Sequence, residues 1–178
     1  MSPHAVLLTG GGGVGKTTVA QAIARHLTAN RHPTAVVDLD AVAQFGPAQR
    51  GPVLPDRQLA GGLRFHDQLK VHNLAAVWTT YRAAGARYLI VSGHVETPEL
   101  HAAYVSAMAE CDVRLVRLQT SPDLIAERTR TTRGPEWDLQ AALEQAKAHQ
   151  AIQDFTVTNE RLPAETAAEI LTRLGWPA

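Results

Sequence analysis

The sequence predicts a single α/β domain, in which helices flank a five-stranded parallel sheet. Three features support this fold class: short apolar runs recur along the chain, segments of helical periodicity lie between them, and a glycine-rich loop follows the first run. Strands that are apolar almost throughout are typical of a sheet covered on both faces, and their alternation with helices favours parallel pairing through right-handed crossovers. A length of 178 residues suits one domain, spanning residues 1–178.

Runs of aliphatic and β-branched residues predict the strands, at 5–9, 34–38, 87–92, 113–118 and 155–158. Apolar side chains at three- and four-residue steps predict helices between them, at 19–27, 71–81, 100–111, 139–146 and 164–174. Thr97 followed by Pro98 is a helix-start signal. Two segments break the alternation: the Pro- and Gly-rich residues 41–64 predict a substrate loop, and the basic residues 128–136 predict a short lid.

The glycine-rich loop between the first strand and the first helix matches G-x-x-x-x-G-K-[ST], the pattern of a phosphate-binding P-loop. Glycines let successive backbone N–H groups point at phosphate oxygens, and the helix that starts near Gly15 adds its positive end. Lys16 can reach the β- and γ-phosphates, and the Thr17 hydroxyl can bind Mg²⁺. The loop therefore predicts binding of a nucleoside triphosphate with Mg²⁺, through Gly10, Gly12, Gly13, Val14, Gly15, Lys16, Thr17 and Thr18.

The second predicted strand ends in two carboxylates, Asp38 and Asp40. In a parallel sheet this strand lies beside the P-loop strand or one strand away from it, which brings both carboxylates near the γ-phosphate. Residues two apart on a strand face the same side. One carboxylate could hold Mg²⁺, and the other could accept the proton of a substrate hydroxyl. The alternative is structural: Asp38 ends the strand and Asp40 caps the next helix.

Ser92, Gly93 and His94 end the third predicted strand, at the edge where parallel sheets bind ligands. Gly93 would let a ligand approach the backbone. Ser92 is a candidate substrate contact, and His94 or Glu96 could also contact the substrate. A surface histidine without a role is the alternative for His94. No acidic residue directly follows this strand, so a plain Walker B aspartate is absent.

Three arginines, Arg128, Arg130 and Arg133, lie in the predicted lid. The planar guanidinium group makes paired, charge-assisted bonds to phosphate, and a closing basic segment would stabilise transition-state charge and exclude water. Arg128 and Arg133 are therefore candidate catalytic residues and Arg130 a candidate nucleotide contact. A solvated basic loop is the alternative. In the predicted substrate loop, Phe45 and Arg57 are candidate acceptor contacts.

The composition argues against several other classes of protein. The formal net charge is zero and no long basic run occurs, so neither nucleic acid nor an anionic membrane is expected as a partner. No apolar run approaches the ~18 residues of a membrane span, and the first residues lack a signal-peptide pattern. A single cysteine, Cys111, excludes an internal disulfide. We expect a cytoplasmic monomer or homodimer that acts on a small molecule.

Several motifs together resemble the small P-loop kinases: the P-loop, Asp38–Asp40, Ser92-Gly93, Leu118–Leu124 and the lid arginines. That group includes shikimate, gluconate and adenylylsulfate kinases and the chloramphenicol-type phosphotransferases. The resemblance implies a P-loop NTPase fold like that of the nucleoside-monophosphate kinases, and transfer of the γ-phosphoryl group of ATP to a hydroxyl of a small metabolite or natural product. It also implies that Asp38 lies near Mg²⁺, that Asp40 is the base, and that the adenine-side loop includes Thr158 and Asn159.

A second resemblance, to the partition and MinD-type ATPases, is carried by Gly12–Thr18 and Val37–Asp40. It implies a switch that works through ATP-dependent dimerisation. Gly11 stands where those ATPases carry an additional lysine, and Ser92 stands where they carry an aspartate, so the kinase interpretation is favoured. No N-K-x-D sequence follows the last strands, which argues against a GTPase.

Overall fold

The computed structural model describes residues 2–45, 62–130, 137–140, 143–144 and 152–178. Within these ranges five parallel strands form one sheet in the order β2-β3-β1-β4-β5. The strands are β1 (His4–Thr9), β2 (Thr34–Asp38), β3 (Tyr88–Ser92), β4 (Asp112–Gln119) and β5 (Phe155–Thr158). The predicted sheet is confirmed, and the predicted strand ends differ from the observed ones by no more than one residue.

Helices lie between the strands, as the alternation of strand and helix signals predicts. They are α1 (Lys16–Ala29), α2 (Leu39–Val42), α3 (Phe65–Ala83), α4 (Pro98–Ala107), α5 (Pro122–Arg130) and α6 (Pro163–Leu174), and residues 139–140 and 143–144 are also helical. The predicted helix start is confirmed, because Thr97 Oγ1 accepts a hydrogen bond of 3.2 Å from the Leu100 N–H. Helix α2 was not predicted, since a single turn is too short to show helical periodicity.

Both faces of the sheet are buried. On β1, Val6 and Leu8 belong to a core cluster with α1 and α6, whereas Leu7 belongs to a cluster with α3 and α4. All three side chains are fully buried. This double burial accounts for the nearly continuous apolar character of the strands.

The strand order gathers three strand ends at one edge of the sheet. Strand β3 lies between β1 and β2, with Ser92 paired to Asp38 on one side and to Leu8 on the other. The carboxyl end of β2 is therefore one strand away from the P-loop strand, which is one of the two predicted positions. No helix within the described ranges is long and apolar enough to cross a membrane.

Candidate active site

The P-loop connects β1 to α1 with a backbone that favours glycine. Gly13 has a φ of 80°, and a Cβ atom there would lie 2.7 Å from Thr129 Cγ2, so α5 packs directly on the loop. Lys16 Nζ donates hydrogen bonds to the carbonyl oxygens of Gly10 and Gly11, at 3.0 and 2.9 Å. These bonds hold the ammonium group over the loop, where a phosphate would neutralise it.

Asn159 supports the conformation of the P-loop through side-chain hydrogen bonds. It follows β5 and is 2% exposed. Its Nδ2 donates a 2.7 Å hydrogen bond to the Val14 carbonyl oxygen, and its Oδ1 accepts a 2.9 Å bond from Thr166 Oγ1 in α6. The loop conformation thus depends on a residue from the other end of the sequence. The resemblance to the kinases indicates an adenine-side position for this residue, and the structure adds this support of the loop.

Asp38, at the end of β2, uses its two carboxylate oxygens for different contacts. Oδ2 accepts hydrogen bonds from Thr17 Oγ1 at 2.7 Å and from Ser92 Oγ at 3.1 Å. Oδ1 accepts bonds from the N–H groups of Asp40 and Ala41 at 3.0 and 3.1 Å, and so caps α2. Asp38 therefore joins the P-loop to the short helix that carries Asp40.

Three cavities surround these residues. The phosphate-loop cavity, of about 470 Å³, is lined by Gly12, Gly13, Gly15, Lys16, Thr17, Thr18, Asp40, His94, Arg128 and Thr129. The α3 cavity, of about 190 Å³, is lined by Arg64, His66, Asp67, Lys70, His94, Glu96 and Leu100. The β4 cavity, of about 450 Å³, lies on the other side of the loop and includes Val14, Ser121, Thr158 and Glu160.

The position of Asp40 corrects one step of the sequence interpretation. Asp40 lies in α2 and not on β2, so it does not share a strand face with Asp38. The predicted cap is also reversed, because Asp38 caps the helix that contains Asp40. Asp40 nevertheless lines the phosphate-loop cavity, and its Oδ1 lies 2.8 Å from Lys70 Nζ. Burial acts to raise the pKa of the Asp40 carboxyl, but the hydrogen bond and charge of Lys70 and the charge of Lys16 outweigh it and lower the pKa.

His94 lines both the phosphate-loop cavity and the α3 cavity. Burial and the positive charge of Lys16 lower the pKa of His94 to about 4. The imidazole is therefore neutral near pH 7 and can serve as a hydrogen-bonding group between the two cavities.

Two predicted substrate contacts have structural roles. Ser92 is 2% exposed and donates its hydroxyl to Asp38. Gly93 is also buried, and a Cβ atom there would lie 2.5 Å from Leu39 Cδ1. The glycine makes room for the first residue of α2, and the approach of a ligand to its backbone stays a prediction.

The remaining predicted residues are spread around the site. Arg128 lines the phosphate-loop cavity, whereas Arg130, at the end of α5, is exposed and outside the lining. Thr158 lines the β4 cavity. Phe45 is 64% exposed, with its ring 5.8 Å from that of Phe65. The predictions for Arg57 and Arg133 lie outside the described residues, as do most of the substrate loop and lid at 46–61 and 131–136.

The residues present fit a nucleotide with Mg²⁺. Mg²⁺ prefers hard oxygen ligands, and the Thr17 hydroxyl and the Asp38 carboxylate are within 2.7 Å of each other. Such a pair matches the usual way in which proteins bind this ion, through one or two side-chain oxygens together with phosphates. The phosphate-loop cavity, which would hold the phosphates, is lined by Gly12, Gly13 and Gly15 together with Lys16.

Two features of the site were not predicted from the sequence: the presence of Lys70, and the role of Asn159 as a support of the P-loop. Lys70 lies 30 positions after Asp40, on a helix whose periodicity reports only its buried face. No local pattern marks such a pair. Asn159 does follow a predicted strand directly, and the strand-end rule that selected Asp38 also applies to it.

Comparison with known families matches residues 5–173 to the model described as the CobQ/CobB/MinD/ParA nucleotide binding domain. No curated protein sequence matches the chain.

Solved structures with this fold cover almost the whole chain. The Deinococcus radiodurans tunicamycin resistance protein is 18% identical, with a TM-score of 0.67 over 99% of this chain and 98% of that chain. The Mycobacterium tuberculosis APS kinase CysC, solved with AMPPNP and APS, is 21% identical, with a TM-score of 0.62 over 98% of each chain. Shikimate kinase from Aquifex aeolicus is 19% identical, with a TM-score of 0.59 over 96% of each chain. The predicted P-loop kinase fold is confirmed.

Proposed function

The chain belongs to the CobQ/CobB/MinD/ParA nucleotide-binding domain family, and we propose that within this family it is an ATP-dependent kinase of small molecules. It would transfer the γ-phosphoryl group of ATP to a hydroxyl group of a small metabolite or natural product. The kinase folds of the similar structures, together with the residues around the P-loop, support this choice within the family.

The observation that carries the proposal is the position of Asp40. Its carboxylate lines the cavity that also contains Lys16 and Thr17, and the α3 cavity adjoins it through Lys70 and His94. A carboxylate between a triphosphate site and a second cavity is suited to accept the proton of an attacking hydroxyl. The second cavity would hold the acceptor.

Each phosphate-side residue would have a separate role. Lys16 would stabilise negative charge on the β- and γ-phosphates, and Arg128, which lines the same cavity, would do so on the transferring group. Thr17 and Asp38 would hold Mg²⁺, which supplies further charge neutralisation at the phosphates. His94, neutral near pH 7, would orient the acceptor or a phosphate oxygen without adding charge.

The family also supports a second candidate, an ATPase switch of the partition and MinD type. The observation in its favour is the family model itself. Gly11 and Ser92, at positions where such ATPases carry a lysine and an aspartate, argue against it. A switch would dimerise with ATP, hydrolyse it slowly and give no phosphorylated small molecule, and light scattering with and without MgATP would detect such a dimer.

The test is a transfer assay with γ-³²P-labelled ATP, Mg²⁺ and a metabolite mixture, with labelled products identified by the mass gain of one phosphoryl group. Asp40→Asn should bind ATP almost as the wild type does and lose transfer by about 10²-fold or more. Glu110→Gln is a matched control, because Glu110 is another carboxylate that pairs with α3, through Arg82 at 2.7 Å.

Unchanged turnover in Asp40→Asn would exclude Asp40 as the base. A wild-type chain that labels no metabolite and dimerises with ATP would favour the switch instead. Equal losses in Asp40→Asn and Glu110→Gln would point to a general effect on folding, and the assignment of Asp40 would then fail.

A further inference from the structure

Lys70 lies on the face of α3 that holds α2 against the site. Its Nζ is 2.8 Å from Asp40 Oδ1, and one turn further along α3 Asn73 Nδ2 donates a 2.6 Å hydrogen bond to the Val42 carbonyl oxygen. We propose that Lys70 is a positioning residue for phosphoryl transfer, whose ammonium group fixes the Asp40 carboxylate between the phosphate-loop cavity and the α3 cavity. The inference rests on the function proposed above.

The two members of the pair are enclosed to different degrees. The Lys70 side chain is 15% exposed, and that of Asp40 is 58% exposed. Lysines are seldom so enclosed without a specific partner, because the ammonium group is strongly hydrated in water. Lys70 also lines the α3 cavity, whereas Asp40 lines the phosphate-loop cavity. The ion pair therefore connects the two cavities.

The backbone of α2 has other supports and does not need Lys70. Asp38 Oδ1 caps its beginning, and Asn73 binds its last carbonyl oxygen. What these bonds leave unfixed is the side chain of Asp40, which projects from a single helical turn. Lys70 supplies a direct contact to that side chain, so its main effect is on the orientation of the carboxylate.

Orientation matters because of the reaction that Asp40 would assist. The acceptor oxygen forms a bond to the γ-phosphorus, the bond from that phosphorus to the β–γ bridging oxygen breaks, and the electron pair leaves with ADP. The acceptor proton passes to the Asp40 carboxylate. With Oδ1 held by Lys70, Oδ2 is the oxygen that would take this proton. A displacement of about 1 Å in such a group can cost ~10²-fold in rate.

A surface ion pair without a role is the competing interpretation, and the same helix provides a reference for it. Arg82 Nη1, near the end of α3, lies 2.7 Å from Glu110 Oε1, with Arg82 41% and Glu110 70% exposed. This pair lines none of the three cavities described above. Exposed pairs of this kind contribute little to stability.

The experiment uses MgATP as the substrate and water in place of the acceptor, with release of inorganic phosphate as the readout. Lys70→Met should lower kcat by about 10- to 100-fold and change the KM for MgATP by less than about twofold, because the phosphate-binding residues are intact. Lys70→Arg should recover part of kcat, since a guanidinium can still bind the carboxylate. Arg82→Met should match the wild type in kcat. Thermal unfolding of each variant shows that it is folded.

The outcomes separate this inference from the proposed function. An unchanged kcat in Lys70→Met, or equal losses in Lys70→Met and Arg82→Met, overturns the positioning role. Phosphate release that depends on Lys70 and Asp40, with no labelled metabolite in the transfer assay, supports the role and overturns only the small-molecule kinase. If the wild type labels a metabolite but releases no phosphate, the same variants are compared by labelling rate. A wild type that does neither overturns both proposals.

Discussion

Thr17 Oγ1 donates a 2.7 Å hydrogen bond to Asp38 Oδ2, and this contact joins the P-loop to the end of β2 across an intervening strand. The same carboxylate caps α2, the helix that carries Asp40. One residue thus connects the group expected to bind Mg²⁺ with the group expected to accept the proton.

Asp38→Asn should weaken the binding of Mg²⁺ at the site and leave the fold intact. Asparagine still offers an oxygen to cap α2, but the negative charge is lost. We expect the Mg²⁺ concentration for half-maximal phosphate release to rise at least about tenfold, because even residues outside the ligand shell have effects of that size. Asp112→Asn is the control, since Asp112 is a carboxylate at the start of β4, half-exposed, that lines none of the three cavities. Identical Mg²⁺ curves for wild type and Asp38→Asn would contradict the metal assignment.

Gly13→Ala should damage both stability and nucleotide binding. The residue has a φ of 80°, and the added Cβ would lie 2.7 Å from Thr129 Cγ2. Gly85→Ala separates the two causes, because Gly85 has a φ of 94° with no heavy atom within 4 Å of a Cβ. Gly85→Ala should cost only the backbone strain, about 1–2 kcal/mol, and leave ATP affinity unchanged. Gly13→Ala should cost more in denaturant unfolding and weaken binding of a fluorescent ATP analogue. Equal effects would argue against the contact with α5.

Asn159→Ala should destabilise the conformation of the P-loop. The substitution removes the bonds to Val14 and Thr166 and leaves buried polar groups without partners, which costs roughly 1–3 kcal/mol. Asn30→Ala is a suitable control, since Asn30 is exposed and its hydrogen bonds to other described residues lie within the end of α1. Nucleotide titration should show weaker ATP binding in Asn159→Ala alone. Full ATP affinity in that variant would mean that the loop keeps its shape without the support.

His94 should make the protein less stable in mild acid. Burial, then Lys16 and Lys70, lower its pKa to about 4, although Asp40 and Glu96 act in the opposite direction. Between pH 6.5 and about 4 the unfolded chain binds a proton that the folded chain does not, so stability falls as pH falls through that interval. NMR titration of the imidazole measures the pKa, and denaturant unfolding measures the stability. His94→Gln should flatten the acid dependence, and an NMR midpoint near 6.5 would contradict this account.

The strands and long helices could be predicted because their signals are local. Each strand is buried on both faces, so its apolar run is visible in sequence without knowledge of its neighbours. The P-loop was predictable for the same reason, since its glycines and lysine are adjacent along the chain. The strand-end rule also selected Asp38 and His94, which the structure brings to the P-loop.

What could not be predicted depends on contacts between distant residues. The extra turn of α2 moves Asp40 off the strand, and its partner Lys70 comes from another helix. Ser92 and Gly93 occupy the right edge of the sheet but face protein groups, because Asp38 and Leu39 fill the adjacent space. Position at a strand end follows from the sequence, whereas the direction of a side chain follows from packing.

The bond from Asn159 to Val14 spans 145 positions of the chain. During synthesis on the ribosome, Val14 emerges long before Asn159, so the P-loop lacks this support while the intervening residues are being added. Closing so long a loop late in folding is entropically costly and ties the nucleotide site to completion of the sheet. We therefore expect the P-loop to reach its full affinity for nucleotide only after β5 and α6 have docked.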